Sequence, residues 1–367
     1  MHNTYFQIFN KKKVLVTGHT GFKGSWLCSW LHLLGADIYG ISLKEPNSKP
    51  SHYDVSELSD VVEDARLDIR NYDQLAACVN QIQPDYIFHL AAQAIVRKSY
   101  DDPIDTYNTN VFGTLNLLEV LRSVSKPCVV ILITSDKCYE NVECVWGYRE
   151  SDALGGPDPY SASKGAAELI IRSHIKSFFP QNGKIRIGVS RAGNVIGGGD
   201  WAPDRIVPDC VRSWANEKAV KLRNPNATRP WQHVLEPLSG YLSQAKELSL
   251  NPSLHGEPFN YGPPAHQNHS VLFLVQNMSK FWDKVRWENN FDSEEDLYES
   301  GLLKLNCDKA LHYLNWHAIL NFQQTVQMTA EWYRSFYENP LTIRQTTYDQ
   351  IEDFVDIAKN KEILWAL

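Results

Sequence analysis

Val14-Leu15-Val16-Thr17-Gly18-His19-Thr20-Gly21-Phe22-Lys23-Gly24 decides the fold. Val14 to Thr17 is a short apolar, β-rich run of the kind that forms a buried strand, and a helical pattern follows from about Ser25 to Leu34. Between them stand three glycines in a GxxGxxG spacing. Glycine permits a tight turn there and lets backbone N–H groups approach a pyrophosphate at a helix N-terminus. A lone glycine pattern carries little weight. Placed between a strand and a helix, it predicts a dinucleotide site over Gly18, His19, Thr20, Gly21, Phe22, Lys23 and Gly24.

The alternation continues outward. Strand patterns cover Asp37 to Leu43, Tyr86 to Leu90, Val129 to Thr134 and Ile185 to Ser190, a segment around Val61 to Leu67 leads into Asp68, and a helix runs from Thr106 to Val124 with another opening at Pro159. Alternation of this kind predicts an α/β fold, a Rossmann-type doubly wound parallel sheet. After Arg191 the pattern changes to Gly197-Gly198-Gly199, several prolines and many tryptophans, which predicts a smaller, loop-rich C-terminal substrate lobe. The dinucleotide-binding domain is expected over 10–193, with a return over about 230–262 through a strand at Pro258-Phe259-Asn260-Tyr261. The substrate lobe is expected over 194–229 and 263–355. The last 40 or so residues carry no readable motif.

Length and composition exclude other classes. The chain has 367 residues, 43% of them hydrophobic, enough for a packed core. Its net charge of -7 argues against a nucleic-acid partner. No apolar run is long enough for a membrane span. Near the N-terminus an apolar patch precedes Lys11-Lys12-Lys13, the reverse of a secretory signal, so a cytoplasmic location is expected. Seven cysteines, with no CxxC pair, suit reduced structural thiols better than a metal site, and no metal is expected.

Two stretches carry chemistry. In Asp158-Pro159-Tyr160-Ser161-Ala162-Ser163-Lys164, Asp158 reads as an N-cap and Pro159 as the first helical residue. Tyr160 and Lys164 then share a helix face. A phenol titrates near pH 10, so a tyrosine base needs its anion stabilised by ~4 kcal/mol at neutral pH. A cation ~4 Å away supplies about that much at an effective dielectric of ~20. The second stretch is Thr134-Ser135-Asp136-Lys137, which should emerge at the carboxyl end of a buried strand, where such sheets bind ligands.

Together these segments resemble the extended short-chain dehydrogenase/reductase superfamily. The resemblance implies cofactor contacts at Asp68 and Ile69, at Leu90, Ala91, Ala92 and Gln93, and at Thr134, Tyr160 and Lys164, with Asn110 as a structural asparagine. Ser135-Asp136-Lys137 after the strand resembles the nucleotide-sugar 4,6-dehydratases. Lysine at 137, together with GHTGFKGSWL over Gly18 to Leu27 and Asn194 to Trp201, resembles the group that acts on CDP-glucose.

The implied reaction oxidises C4 of the hexose by hydride transfer to NAD, eliminates water across C5 and C6, and returns the hydride to C6, giving the 4-keto-6-deoxy sugar of deoxysugar and O-antigen biosynthesis. Tyr160 takes the 4-hydroxyl proton, Ser135 steadies that hydroxyl, and Asp136 donates to the departing C6 hydroxyl. Lys137 is the C5 base if its amine is neutral, or an electrostatic stabiliser of the enolate if it stays charged. Asn194, Arg205, Arg229 and Asn260 match substrate-binding positions of the family, the arginines suiting a diphosphate. A homodimer or tetramer is implied, through helices whose outer stripes a core would bury equally well.

One departure bears on the cofactor. Where the superfamily ends its second strand on an acid that grips the adenosine ribose, this chain has Ser42. Losing charge-assisted bonds of ~1.5–3 kcal/mol loosens the dinucleotide by roughly tenfold or more. NAD is therefore expected to be held loosely, with NADP, beside Lys44, as the lesser alternative. Rival readings are an NAD-dependent nucleotide-sugar 4-epimerase, a 4,6-dehydratase for another nucleotide sugar, and a non-catalytic dinucleotide sensor. An epimerase does not need Asp136-Lys137, and a sensor does not need an intact Tyr160-Lys164 pair.

Overall fold

The computed structural model describes residues 5–44, 48–283, 285–289 and 301–367. Seven parallel strands form the centre: β1 (Lys13–Thr17), β2 (Asp37–Ser42), β3 (Val62–Arg66), β4 (Tyr86–His89), β5 (Cys128–Ile133), β6 (Ile185–Ala192) and β7 (Pro258–Tyr261). Their order is β7-β6-β5-β4-β1-β2-β3, so the winding reverses between β1 and β4. The crevice at such a reversal is where ligands sit in open parallel sheets.

Helices cover both faces because the central strands β1, β4 and β5 are apolar on both. On one side lie α1 (Phe22–Leu33), its Trp26 and Trp30 fully buried, and a later long helix over Leu235–Leu250 that packs on β5 and β6. On the other lie α2 (Tyr72–Ile82), α3 (Gly113–Leu121) and α4 (Pro159–Phe178), whose Leu75, Leu117, Leu121, Ile171 and Ile175 meet Leu15, Ile87, Val130 and Ile187 of the sheet. No helix among the described residues is long and apolar enough to cross a membrane.

Two elements differ from the pattern. The helix expected from Thr106 starts earlier, at Pro103, because the Asp102 carboxylate accepts the Asp105 N–H and caps it. It passes through a π-helical turn over Asn108–Phe112 before α3, and that turn carries Asn110 inward. The motif-free C-terminus forms two helices, Phe322–Glu338 and Ile343–Asn360. Placed in the substrate-side lobe from sequence, the second of these packs on α1 instead, where Phe354 and Trp365 gather around Trp30. β7 joins β6 in parallel register, so the chain does return to the main sheet. Residues 194–233 and 263–289 form short strand pairs, 228–229 with 269–270 and 220–222 with 287–289, beside the carboxyl end of that sheet.

One buried ion pair ties these parts together. Arg191, at the end of β6, places Nε and Nη2 each 2.8 Å from the two oxygens of Glu168 on α4. Nη1 donates to the Tyr139 hydroxyl and the Glu150 carbonyl, while the Thr134 hydroxyl donates to Glu168. Removing one member of such a pair leaves a buried charge without a partner, at ~3–5 kcal/mol. Glu168→Ala should therefore lower the unfolding free energy by about that amount in urea titrations, and Glu168→Gln, which also leaves Arg191 without a counter-charge, by most of it. A Glu168→Gln variant as stable as the wild type would show that the charge pairing contributes nothing.

Candidate active site

The glycine turn is built as its sequence requires. Gly18 has φ +72°, and a Cβ on it would lie 2.8 Å from the Ala91 nitrogen. A Cβ on Gly24 would lie 2.2 Å from the Gly18 carbonyl oxygen. Only glycine allows the strand end, the turn and the first turn of α1 to close on one another this tightly. The resulting cradle presents the N-terminus of α1 to the cleft, and it fits a pyrophosphate.

Most of the candidate cofactor residues line that cleft, which has a volume of about 900 Å³: Gly18, Thr20, Gly21, Phe22, Lys23, Gly24, Ser42, Asp68, Ile69, Leu90, Ala91, Ala92, Gln93 and Thr134. His19 does not. Its imidazole turns beneath the sheet edge, 3.1 Å from the Asp64 carboxylate and edge-on to Tyr53, and burial lowers its pKa. Ser42 is buried, with its hydroxyl bonded to that of Thr20. Partial burial pushes the Asp68 carboxyl up, but the Arg70 fork and backbone N–H outweigh it and hold Asp68 below the usual carboxylate range. The loop after β4 is fixed from behind. Asn110 accepts from the Gln93 N–H and donates to the Gln93 carbonyl and to Ser163 of α4.

The chemistry-bearing residues converge on the same cleft. Ser135 follows β5, caps a short 3-10 turn over Asp136–Cys138 and accepts the Lys137 N–H. Asp136 is buried, accepting from the Ser135 hydroxyl at 2.9 Å and the Asn194 side-chain amide at 3.1 Å. Its carboxylate lies against Gly193, where a Cβ would stand 1.9 Å from Oδ2. Asn194 itself adopts φ +54°. Asp158 caps α4 through the Ser161 N–H, with Pro159 at the first helical position. Tyr160 and Lys164 are both buried and both line the cleft, with Nζ 5.9 Å from the phenol ring centroid.

The ionisation of that pair departs from expectation. Burial raises Tyr160 to about 12, with Asp136 adding to the rise, while the nearby Ser135 hydroxyl and the Arg205 charge act against it. Burial lowers Lys164 to about 8, partly offset by Cys138 and Glu168. Desolvation disfavours both charged forms.

On the substrate side Arg205 pairs with Asp200 at 2.7 Å and Arg229 donates to the Thr228 carbonyl; both arginines line the cleft. Asn260 does not. It is fully buried in β7, its amide donating to the Tyr148 and Asn306 carbonyls and accepting from the Tyr139 hydroxyl. It braces the wall from outside. Arg191, Glu168, Asp200, Arg97 and Arg223 support or line the site without having been singled out from sequence. For Glu168 a signal existed, since it stands one helical turn beyond Lys164.

A parallel sheet reversing at β1 and β4, a glycine cradle and a Tyr-Lys pair at the sheet's carboxyl end define a dinucleotide-dependent enzyme of the short-chain dehydrogenase/reductase class. A family model described as GDP-mannose 4,6 dehydratase matches residues 15–329, and the chain belongs to that family. It is 45% identical over 330 residues to the CDP-glucose 4,6-dehydratase of Salmonella typhimurium, covering 89% of this chain and 91% of that protein. It is 26% identical to the CDP-paratose 2-epimerase of Salmonella typhi, covering 87% and 98%. Among solved structures, a dTDP-glucose 4,6-dehydratase from Bacillus anthracis in complex with NAD superposes with TM-score 0.72 at 21% identity, covering 89% of this chain and 98% of that one. A UDP-glucuronic acid 4-epimerase from Bacillus cereus gives 0.75 at 22%, covering 89% and 100%.

The lowered lysine has a consequence for stability. With its pKa depressed in the folded state, Lys164 binds fewer protons folded than unfolded between pH 8 and the ordinary lysine value, so its cost is full below pH 8 and fades above it. Lys164→Met should raise the melting temperature of the apoprotein at pH 7, and the gain should narrow steadily toward pH 10. A gain that is constant across that range would contradict the burial cost.

Proposed function

We propose that this protein is a CDP-glucose 4,6-dehydratase, converting CDP-glucose to CDP-4-keto-6-deoxyglucose. The observation that carries the reading is the meeting of Ser135, Asp136 and Lys137 with Tyr160 and Lys164 in the cleft that also holds the glycine cradle. The 45% identity to a CDP-glucose 4,6-dehydratase over most of both chains supports cytidine as the base. NAD is the cofactor that fits; it would lie on the Gly18–Gly24 cradle, with Asp68 and Ile69 toward the adenine and Lys164 toward the nicotinamide ribose. When bound, NAD+ supplies the acceptor that takes hydride from C4 of the hexose and gives it back at C6.

The chain's own residues move the protons. Tyr160 removes the proton of the 4-hydroxyl, which Ser135 holds. The C4 ketone then acidifies the C5 hydrogen, and Lys137 is the base placed by sequence position to take it. Asp136, protonated, donates to the departing C6 hydroxyl. Its two hydrogen-bond donors, Ser135 and Asn194, receive the carboxylate that remains. Arg205 and Arg229 line the part of the cleft that suits a diphosphate. Residues 194–229 and 263–289 wall that side, and 290–300 of the expected lobe lie outside the described residues. Ile104, Phe112, Leu169 and Phe178 are exposed apolar residues on the helices of one face, and they suit a homodimer packed through it.

Incubation with NAD+ should turn over CDP-glucose in preference to the dTDP-, UDP- and GDP-glucoses, with deuterium placed at C4 recovered at C6 of the product. Loss of that label to water, or recovery of a C4 epimer, would reject the dehydratase reading.

The cofactor should also be held loosely. Ser42 brings no charge to the ribose, and its hydroxyl already bonds to Thr20. Calorimetric titration should give NAD+ binding roughly tenfold or more weaker than an acidic residue there would give, and Ser42→Asp should tighten it. Retention of NAD+ through dialysis by the wild-type protein, or tighter binding of NADP+, would refute this.

A further inference from the structure

Lys23 stands inside the glycine turn, where sequence places it among the pyrophosphate contacts. It is the second residue of α1, half-buried, and it lines the cleft beside Asp136, Asp200, Arg205 and Lys164, which lie at the ends of β5 and β6 and on α4. Backbone N–H groups of the turn form the cradle and need no side-chain cation at this position. Among the described residues Lys23 makes no hydrogen bond and no ion pair. Asp136, in turn, has only neutral hydrogen-bond donors, Ser135 and Asn194. Arg205, another cation of this cleft, is already paired with Asp200.

We propose that Lys23 is a positioning residue of the elimination step, its ammonium compensating the negative charge that Asp136 acquires when it gives its proton to the departing C6 hydroxyl. This rests on the dehydratase reading above. The proton count closes without Lys23 changing state. Tyr160 gains the 4-hydroxyl proton, and the C5 proton is taken and given back. Asp136 loses one proton to the water that leaves. The site therefore ends the cycle with one proton to pass from Tyr160 to Asp136, and in the interval Asp136 is an anion in a desolvated wall. A fixed positive charge there stabilises the anion as it develops. Electrostatics agree with the placement. Burial lowers the Lys23 pKa to about 8, and Asp136 is the leading group that opposes the fall, ahead of Asp200, with Arg205 and Lys164 adding to it.

The test separates Lys23 from the cradle. Wild type, Lys23→Met and Lys23→Arg are compared with CDP-glucose and NAD+ at pH 7. Reactions are quenched into borodeuteride, so that any 4-ketone becomes a hexose with deuterium at C4. Lys23→Met should lose about 100-fold or more in kcat. Its trapped sugar should keep the 6-hydroxyl, showing that oxidation has occurred and elimination has not. The NAD+ dissociation constant, read by calorimetry on the apoprotein, should stay within about threefold of wild type. Lys23→Arg should recover much of the 6-deoxy product. Weaker NAD+ binding by tenfold or more, with 6-deoxy sugar as the trapped species, would return Lys23 to the cofactor and overturn the proposal. An unchanged kcat would overturn it as well. Failure of the wild type to convert CDP-glucose would instead sink the functional reading itself.

Discussion

The Arg191–Glu168 pair is the constraint on which the site's geometry depends. Both side chains are almost wholly buried, and their hydrogen bonds reach four separate segments: the ends of β5 and β6, helix α4, and the loop carrying Tyr139 and Glu150. α4 delivers Tyr160 and Lys164, and the end of β5 delivers Ser135, Asp136 and Lys137. A buried ion pair adds little net stability compared with an apolar substitute. What it does here is fix a register. The guanidinium fork accepts one orientation of a carboxylate, so α4 cannot slide or rotate against the strand ends without losing both bonds. Asn110, held between Gln93 and Ser163, does the same on the cofactor side with neutral groups.

The charge balance of the cleft follows from burial. Desolvation lowers Lys23 and Lys164 to about 8 and raises Tyr160 to about 12. Both shifts have one cause, since an ammonium and a phenolate lose the same kind of solvation when they are carried into the wall.

Much of this was legible in the sequence, for identifiable reasons. Most strands of the main sheet are short apolar runs, the charged β3 excepted, and the glycine turn, the Asp158-Pro159 cap and the Tyr160-Lys164 spacing are local patterns that reinforce one another. Asn260 and His19 went astray because sequence gives a residue's place along an element and not the direction of its side chain. In β7, Asn260 points into the seam with residues 148 and 306; in the turn, His19 points under β2, where Gly40 leaves room for its ring. Arg191 was illegible for a different reason. A lone arginine in an apolar strand has no local pattern, and its partner lies 23 residues away on another element. The C-terminal helices lacked a motif because their role is to bury Trp30 and its neighbours, and apolar burial leaves no signature beyond periodicity.

The structural likenesses, at about 21–22% identity, reach a dehydratase and an epimerase almost equally well. Fold therefore cannot separate the two chemistries, and the decision falls on the residues that follow β5. An epimerase has only to hold a hydroxyl and pass a proton at C4. Elimination needs in addition an acid above C6 and a base at C5, both within the same desolvated wall. The acid role proposed for Asp136 draws on its place against Gly193, a residue without a side chain, where its oxygens accept from Ser135 and Asn194.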